Sequence, residues 1–200
     1  MQKVIRYAVL RTKWGYFGLA GTEKALLRTQ LPLPNQQNVK RELLKNLPNP
    51  QYDKTLFNTL QEEIIAYFDG TYVNFDPSIP IILDGLGKFA GRVLTACRKI
   101  GFGQTISYAQ LAKKAGSPSA ASPVRNATKG RKLQKGKMKI CNGARAVGRV
   151  MANNPLPLII PCHRVIRNDG RIGGFSAQGG TKLKNRLLQF EQKAPQHRKS

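Results

Sequence analysis

The acidic residues of this chain are distributed so unevenly that they constrain its architecture more than any other feature. No Asp or Glu lies between residues 85 and 168, and residues 85–200 carry 24 Lys and Arg against two acids, Asp169 and Glu191. Residues 1–84 carry 10 basic and 8 acidic residues and are almost neutral. The contrast predicts an N-terminal module, residues 1–80, and a module that binds a polyanion such as nucleic acid, residues 81–200. A generally basic chain with one solvated face is the alternative.

Several classes of protein are excluded by the sequence. The most apolar run, Leu156–Ile160, lies between Pro155 and Pro161 and is far shorter than the roughly 20 residues of a membrane-spanning helix. Basic residues interrupt the apolar N-terminal stretch, so we expect no signal peptide and no membrane association. Three cysteines without a CxxC pair, and only two histidines, argue against a disulfide framework and against zinc. We expect a monomer inside the cell, without metal or cofactor. Its compartment would be the cytoplasm in a prokaryote or the nucleus in a eukaryote, and the cytoplasm is favoured.

Hydrophobic periodicity predicts an α/β (α+β) fold. Three β-rich runs, Val4–Arg11, Gly15–Thr22 and Leu26–Leu31, are separated by turn signals and are typical of an antiparallel meander. An i, i+4 apolar stripe from Leu56 to Phe68 predicts a helix that completes the N-terminal domain. In the basic module, apolar spacing and capping residues predict helices near residues 86–100, 108–115, 143–152 and 181–192.

Two short helices, Tyr108–Ala115 and Gly143–Ala152, favour a helix-turn-helix that binds DNA. The small residues of the second helix lower its stability but allow a close approach to another backbone, and ordinary helix packing is the alternative. Residues 121–143, between these helices, carry seven Lys or Arg, no acid and few large apolar groups. This composition predicts a mobile loop that contacts phosphates without sequence specificity, or else a merely solvated insertion. Deletion of 121–142 should weaken DNA binding and its salt dependence.

Cys162 and His163 form the strongest chemical signal. A cysteine reacts as thiolate, and neighbouring cations such as Arg164 and Arg167 would lower its pKa. A histidine can accept the thiol proton when a third group orients it, and this half of the chain offers only Asp169 and Glu191 for that role. The dipeptide alone is also compatible with a buried, inert thiol.

The segment Ile160-Pro161-Cys162-His163-Arg164-Val165 resembles the active-site signature of the O6-alkylguanine-DNA alkyltransferases (methylated-DNA–protein-cysteine methyltransferases). Further segments follow in the family's order: Ile106–Ala112, Ala144–Gly148, Asn154–Pro155, and Leu187–Leu188 with Glu191. The resemblance spans roughly residues 85–191, and more loosely residues 14–20. It implies a small ribonuclease-H-like N-terminal domain and a mostly helical C-terminal domain with a helix-turn-helix of winged-helix type. The implied partner is double-stranded DNA that contains O6-alkylguanine.

The resemblance also implies a role for each matching residue. Cys162 accepts the alkyl group in one irreversible displacement, His163 acts as general base through a water, and Glu191 holds the imidazole. Arg145 fills the space of the flipped nucleotide, and Tyr108 donates to the guanine ring nitrogen. Asn154 supports the site, the carbonyls of Cys162 and Val165 bind the exocyclic amine, and Ser176 lies near O6. Three further residues are expected to contact DNA: Ala144, Gly148 and Arg164.

This chain departs from the family pattern at three places. The basic segment 121–143 lies inside a turn that is very short in the family. Ala177 and Gln178 add two residues after Ser176, and Phe175 stands where a tyrosine is common. The zinc ligands found near the N-terminus of some members are missing.

Two other functions remain open from the sequence. A protein of the alkyltransferase-like type would recognise the lesion and recruit other factors without transfer, but such proteins lack the cysteine that Cys162 provides. A Cys-His-Glu hydrolase would need an oxyanion hole and repeated turnover, and it leaves the charge asymmetry unexplained.

Overall fold

A computed structural model describes residues 4–116 and 143–194, so the predicted basic loop, residues 121–143, lies outside the described residues except for Gly143, which is helical. The chain begins with an antiparallel meander, as predicted. Its strands are β1 (Arg6–Thr12), β2 (Gly15–Gly21) and β3 (Leu26–Leu33), and a short strand β4 (Gln51–Tyr52) pairs parallel to β1. The sheet order is β3-β2-β1-β4. The β1–β2 turn requires glycine at position 15, where φ is +121° and a Cβ would lie 2.5 Å from the Leu33 carbonyl oxygen.

One helix covers each face of this sheet, because successive residues of a strand point to opposite sides. Helix α1 (Gln36–Leu44) packs on one face, where Leu43 joins Tyr7 and Ala20. Helix α2 (Asn58–Asp69) belongs to the core on the other face with Ala8 and Leu10. The sequence predicted α2 but missed α1.

The described part of the basic module contains four α-helices, α3 (Lys88–Arg98), α4 (Tyr108–Lys114), α5 (Gly143–Ala152) and α6 (Gly180–Lys193). The predicted helix at 108–115 begins with a capping box, in which Ser107 and Gln110 each accept a backbone N–H of the other. Helices α3, α4 and α5 contact one another. Two short parallel strands, β5 (Ile106–Ser107) and β6 (Val165–Ile166), lie beside them and were not predicted.

The two halves share one continuous hydrophobic core, which runs from the sheet through α2 to α3, α5 and α6. Helix α6 also packs on the N-terminal half through aromatic contacts. The Phe190 ring lies 4.9 Å from the Trp14 ring, and the Arg186 guanidinium stacks 3.7 Å above the same indole. The boundary between residues 80 and 81 stays a prediction. Among the described residues, no helix combines the length and apolar character that crossing a bilayer requires.

Candidate active site

Cys162 begins a single 3-10 turn, Cys162–Arg164, in the connection from α5 to α6. Asn154 holds the preceding loop through both polar atoms of its side-chain amide. Its Nδ2 donates to the Ile160 carbonyl at 2.8 Å, and its Oδ1 accepts the Leu156 N–H at 3.0 Å. Cys162 is only 5% exposed. These two hydrogen bonds set the path of the chain into Cys162, which is how Asn154 could support the site as predicted.

The N-terminal sheet holds the same loop from the other side. The Thr29 backbone N–H donates to the Pro155 carbonyl at 3.0 Å, and the Thr29 hydroxyl donates to the Pro157 carbonyl at 2.8 Å. Both carbonyls lie within the proline-rich approach to Cys162. Strand β3, at the edge of the sheet, thus supports the proline-rich segment that leads to Cys162.

His163 and Glu191 lie together in the interior, as the resemblance implied. His163 Nε2 is 2.8 Å from Glu191 Oε1, and both side chains are at most 1% exposed. Burial lowers the pKa of His163 despite the opposing effect of Glu191, so the imidazole is neutral near neutral pH. Because Glu191 accepts, the proton of the neutral ring belongs on Nε2, which leaves Nδ1 as a proton acceptor.

Among the described residues, four donate hydrogen bonds to Glu191. Besides His163, these are the Tyr67 hydroxyl at 2.8 Å, the Gly103 backbone N–H at 3.0 Å, and Arg164 through Nε and Nη2. Burial alone would raise the pKa of Glu191, but the hydrogen bonds and charges of His163 and Arg164 outweigh it and hold the pKa well below its ordinary value. Glu191 is therefore ionised at neutral pH.

The prediction that Arg164 contacts DNA is wrong, because its guanidinium is buried. It donates to Glu191 and, through Nη1, to the Ile100 carbonyl at 2.6 Å. The expected effect of this cation on the thiol also belongs to another residue. Burial raises the pKa of Cys162, and the groups that oppose this rise include the Asn154 side chain and the positive charge of Lys184.

Lys184 is a site residue that sequence reasoning missed. Its side chain is completely buried, and Nζ donates to the Val165 carbonyl at 2.5 Å and to the Tyr108 hydroxyl at 3.5 Å. Its spacing to Leu187, Leu188 and Glu191 is i+3, i+4 and i+7, which places it on the buried face of α6. A lysine within the apolar stripe of a predicted helix was the sequence signal that could have identified it.

Cys162 opens onto a cavity of about 820 Å³ between α4, α5 and the segment 172–176. The cavity brings together five of the predicted DNA-binding residues, namely Tyr108, Ala144, Arg145, Gly148 and Ser176. Arg145 is exposed at its edge. A Cβ at Gly173 would lie 2.6 Å from the Tyr108 ring, so glycine at this position gives the tyrosine its place in the wall.

A second cavity, of about 500 Å³, reaches Cys162 from the N-terminal half and contains Asn154 and Ser176 in its wall. Ser176 thus lies between the two cavities, and its predicted role near O6 stays a prediction. The Val165 carbonyl accepts a hydrogen bond from Lys184 and Val165 is completely buried, so its contact with a base stays a prediction. In residues 4–116 and 143–194, no group of three His, Cys, Asp or Glu side chains is placed to hold a metal ion.

Comparison with known proteins identifies the class of this site. Residues 88–136 and 135–193 match the family described as "6-O-methylguanine DNA methyltransferase, DNA binding domain". The chain is 34% identical to the methylated-DNA–protein-cysteine methyltransferase of Methanothermobacter thermautotrophicus, over 75% of this chain and 69% of that one. It is 31% identical to the mouse protein of the same name, over 94% of this chain and 81% of that one. The chain therefore belongs to the methylated-DNA–protein-cysteine methyltransferases, a family of DNA repair enzymes.

Solved structures confirm the fold class. Mycobacterium tuberculosis OGT in complex with DNA superposes with a TM-score of 0.68 at 28% identity, over 94% of this chain and 92% of that one. The O6-methylguanine-DNA methyltransferase of Pyrococcus kodakaraensis, at 19% identity and a TM-score of 0.59, shares the fold. The winged-helix detail stays a prediction.

Proposed function

We propose that this protein takes the alkyl group from guanine O6 in duplex DNA onto Cys162, once per molecule. The observation that carries the proposal is the position of Cys162 between a cavity and a histidine. On one side lies the cavity with Tyr108 and Arg145, and next to Cys162 in the chain is His163, held by buried Glu191.

The reaction begins with removal of the thiol proton. Burial keeps Cys162 protonated at rest, so a base must act at the moment of attack. His163 is neutral and has Nδ1 available, and it accepts the proton through a water. The positive charge of Lys184 favours the thiolate that results.

The thiolate then attacks the alkyl carbon in line with O6. The S–C bond forms as the C–O bond breaks, and the electron pair of that bond stays on the guanine. Tyr108 donates a proton to the base and regains one from the protonated His163 through solvent, so that the products are neutral guanine and an S-alkyl cysteine. A thioether offers no leaving group under these conditions, and the protein is consumed.

The target base must leave the duplex, because O6 of a stacked base is inaccessible to a buried sulfur. The cavity next to Cys162 has the size to receive a nucleobase, and small residues at Ala144 and Gly148 let α5 approach the DNA backbone closely. Exposed Arg145 occupies the vacated space in the stack. A damaged base pairs poorly, so its extrusion costs less than that of guanine.

The proposal is tested by intact-mass spectrometry of the protein after incubation with a duplex that contains O6-methylguanine. We expect a single gain of one methylene that maps to Cys162 and stops at one equivalent. Cys162→Ala should show none, and Cys97→Ala, which removes the other described thiol, should retain it, because Cys97 is fully buried in the core.

Two outcomes would refute alkyl transfer. Retained duplex binding without any mass change would favour a lesion-binding protein that recruits others. Repeated product formation by one equivalent of protein would indicate a turning-over enzyme.

A further inference from the structure

A second basic surface lies between α3 and α4. The outer faces of these helices form a groove of about 1370 Å³ whose floor includes Ile100 and Ile106. Five cations lie along its walls and all are exposed: Lys88, Arg92, Lys99, Lys113 and Lys114. None of the residues that line the groove is acidic.

The segments that form this groove contain no acid, and the nearest one along the chain, Asp84, lies with Lys99 around a neighbouring cavity. The sequence contains no Asp or Glu from residue 85 to 168, which includes the whole of α3, α4 and the segment that joins α4 to α5. The two acids that follow are already engaged, Asp169 by Arg171 and Glu191 by Arg164. In the part of the chain that the structure describes, none of the five groove cations takes part in a salt bridge. A uniform positive charge of this kind is complementary to an external polyanion.

This groove is separate from the surface that faces the Cys162 cavity. The two share no residue, and α5 contributes nothing to the groove. Helix α3 lines the groove and contributes no residue to the Cys162 cavity, whereas α5 lines the cavity and contributes none to the groove. We therefore expect a short duplex bound along α5 to leave the groove free.

We propose that the α3–α4 groove binds the phosphate backbone of a second DNA segment while the first lies on α5. The contacts would be ionic and independent of sequence, because lysines on flexible stems meet phosphates as point charges. Such a protein holds two duplexes, or two distant parts of one DNA molecule, at the same time. This inference goes beyond alkyl transfer and does not depend on it.

Stoichiometry tests the proposal directly. Full-length protein is mixed with an excess of a short duplex that spans only the lesion site, and sedimentation equilibrium at low salt gives the mass of the complex. We expect one protein with two duplexes, the second lost first as salt is raised. A complex that stays at one protein and one duplex would overturn the proposal.

A triple variant locates the second duplex. Lys88→Gln, Lys99→Gln and Lys113→Gln together should reduce the slope of log K for the second duplex against log salt by about 3, and weaken its capture by roughly tenfold or more. The matched control carries the same charge change on the N-terminal half, at exposed Lys24, Lys40 and Lys54. Equal effects of the two triple variants would overturn the proposal.

Gly91 offers a sharper test with a single residue. It lines the groove on α3, and a Cβ built there meets no atom within 4 Å. Gly91→Glu adds a carboxylate to the groove and Gly91→Gln adds the same bulk without charge. We expect the glutamate variant to lose the second duplex while the glutamine variant keeps it. Both should alkylate Cys162 in the short duplex at the rate of the unmodified chain. Loss of the second duplex in both variants, or in neither, would overturn the proposal.

Discussion

Replacing Glu191 by Gln is the most informative single perturbation of this site. The side chains have nearly the same shape, but Gln carries no charge and one acceptor oxygen instead of two. In the folded protein, Arg164 would then keep a buried guanidinium without its counter-charge, and His163 would lose the carboxylate that fixes its tautomer. The substitution should therefore lower both the free energy of unfolding and the rate of alkyl transfer.

The expected loss of stability follows from the burial of the pair. Removing one partner of a buried ion pair costs about 3–5 kcal/mol, because the other charge stays in the interior uncompensated. For a chain of this size that corresponds to a fall in Tm of roughly 6–20 °C. The exposed control Glu62→Gln, which removes a carboxylate that bonds only Asn58, should change the free energy of unfolding by no more than about 0.5 kcal/mol.

Denaturation at a series of pH values separates the effect of the Glu191 charge on stability from the effect of its shape. The pKa of Glu191 is lowered in the folded state, so its contribution is present above the unfolded value of about 4.3 and is lost as pH falls towards the folded pKa. The difference in free energy of unfolding between the unmodified chain and Glu191→Gln should thus become smaller below about pH 4. His163, whose folded pKa is also lowered, should cost both proteins stability as pH falls below about 6.5. Equal midpoints and equal transfer rates at neutral pH would refute this reasoning.

Two further substitutions test how the site is held. Gly173→Ala should displace the Tyr108 ring, because the added Cβ would lie 2.6 Å from it, and should slow alkyl transfer from duplex DNA. The control Gly174→Ala adds a methyl group to open space and should leave the transfer rate unchanged. Equal single-turnover rates for the two variants would contradict this expectation. Thr29→Val leaves the Pro157 carbonyl without its hydroxyl donor, at about 1–3 kcal/mol, and should slow alkylation of Cys162 by free O6-benzylguanine. An unchanged rate with lowered stability would show that this bond supports the fold alone.

Secondary structure was predictable wherever a local signal was strong. Glycines and alternating residues located the first three strands, and Ser107 located α4. Helix α1 was missed because Pro32 and Pro34 mark the end of a strand so clearly, and because only Val39 and Leu43 of this mostly polar helix are buried. Its start signal, the Asn35 side chain that accepts the Gln37 N–H, was present but overlooked.

The site was predictable where few residues could fill a role. Only two acids follow residue 85, so the amino-acid sequence alone narrows the partner of His163 to Asp169 or Glu191. Arg164 was misplaced because consecutive residues on a 3-10 turn point in different directions. Tyr67 could not have been found, since it lies 124 residues from the carboxylate to which it donates and no local pattern links them.

The stacking of Trp14 on Phe190 and Arg186 sets a lower limit on the size of a working protein. The segment 88–193, which matches the DNA-binding family, contains every group that meets the reacting atoms. Cut free at residue 81, it would expose Phe190 to water and leave Glu191 without the Tyr67 hydroxyl. We expect such a fragment to retain affinity for DNA but to transfer the alkyl group more slowly, because α6 would lose contacts that position Glu191. Truncation should thus separate DNA binding from alkyl transfer, although the segment 88–193 holds the residues for both.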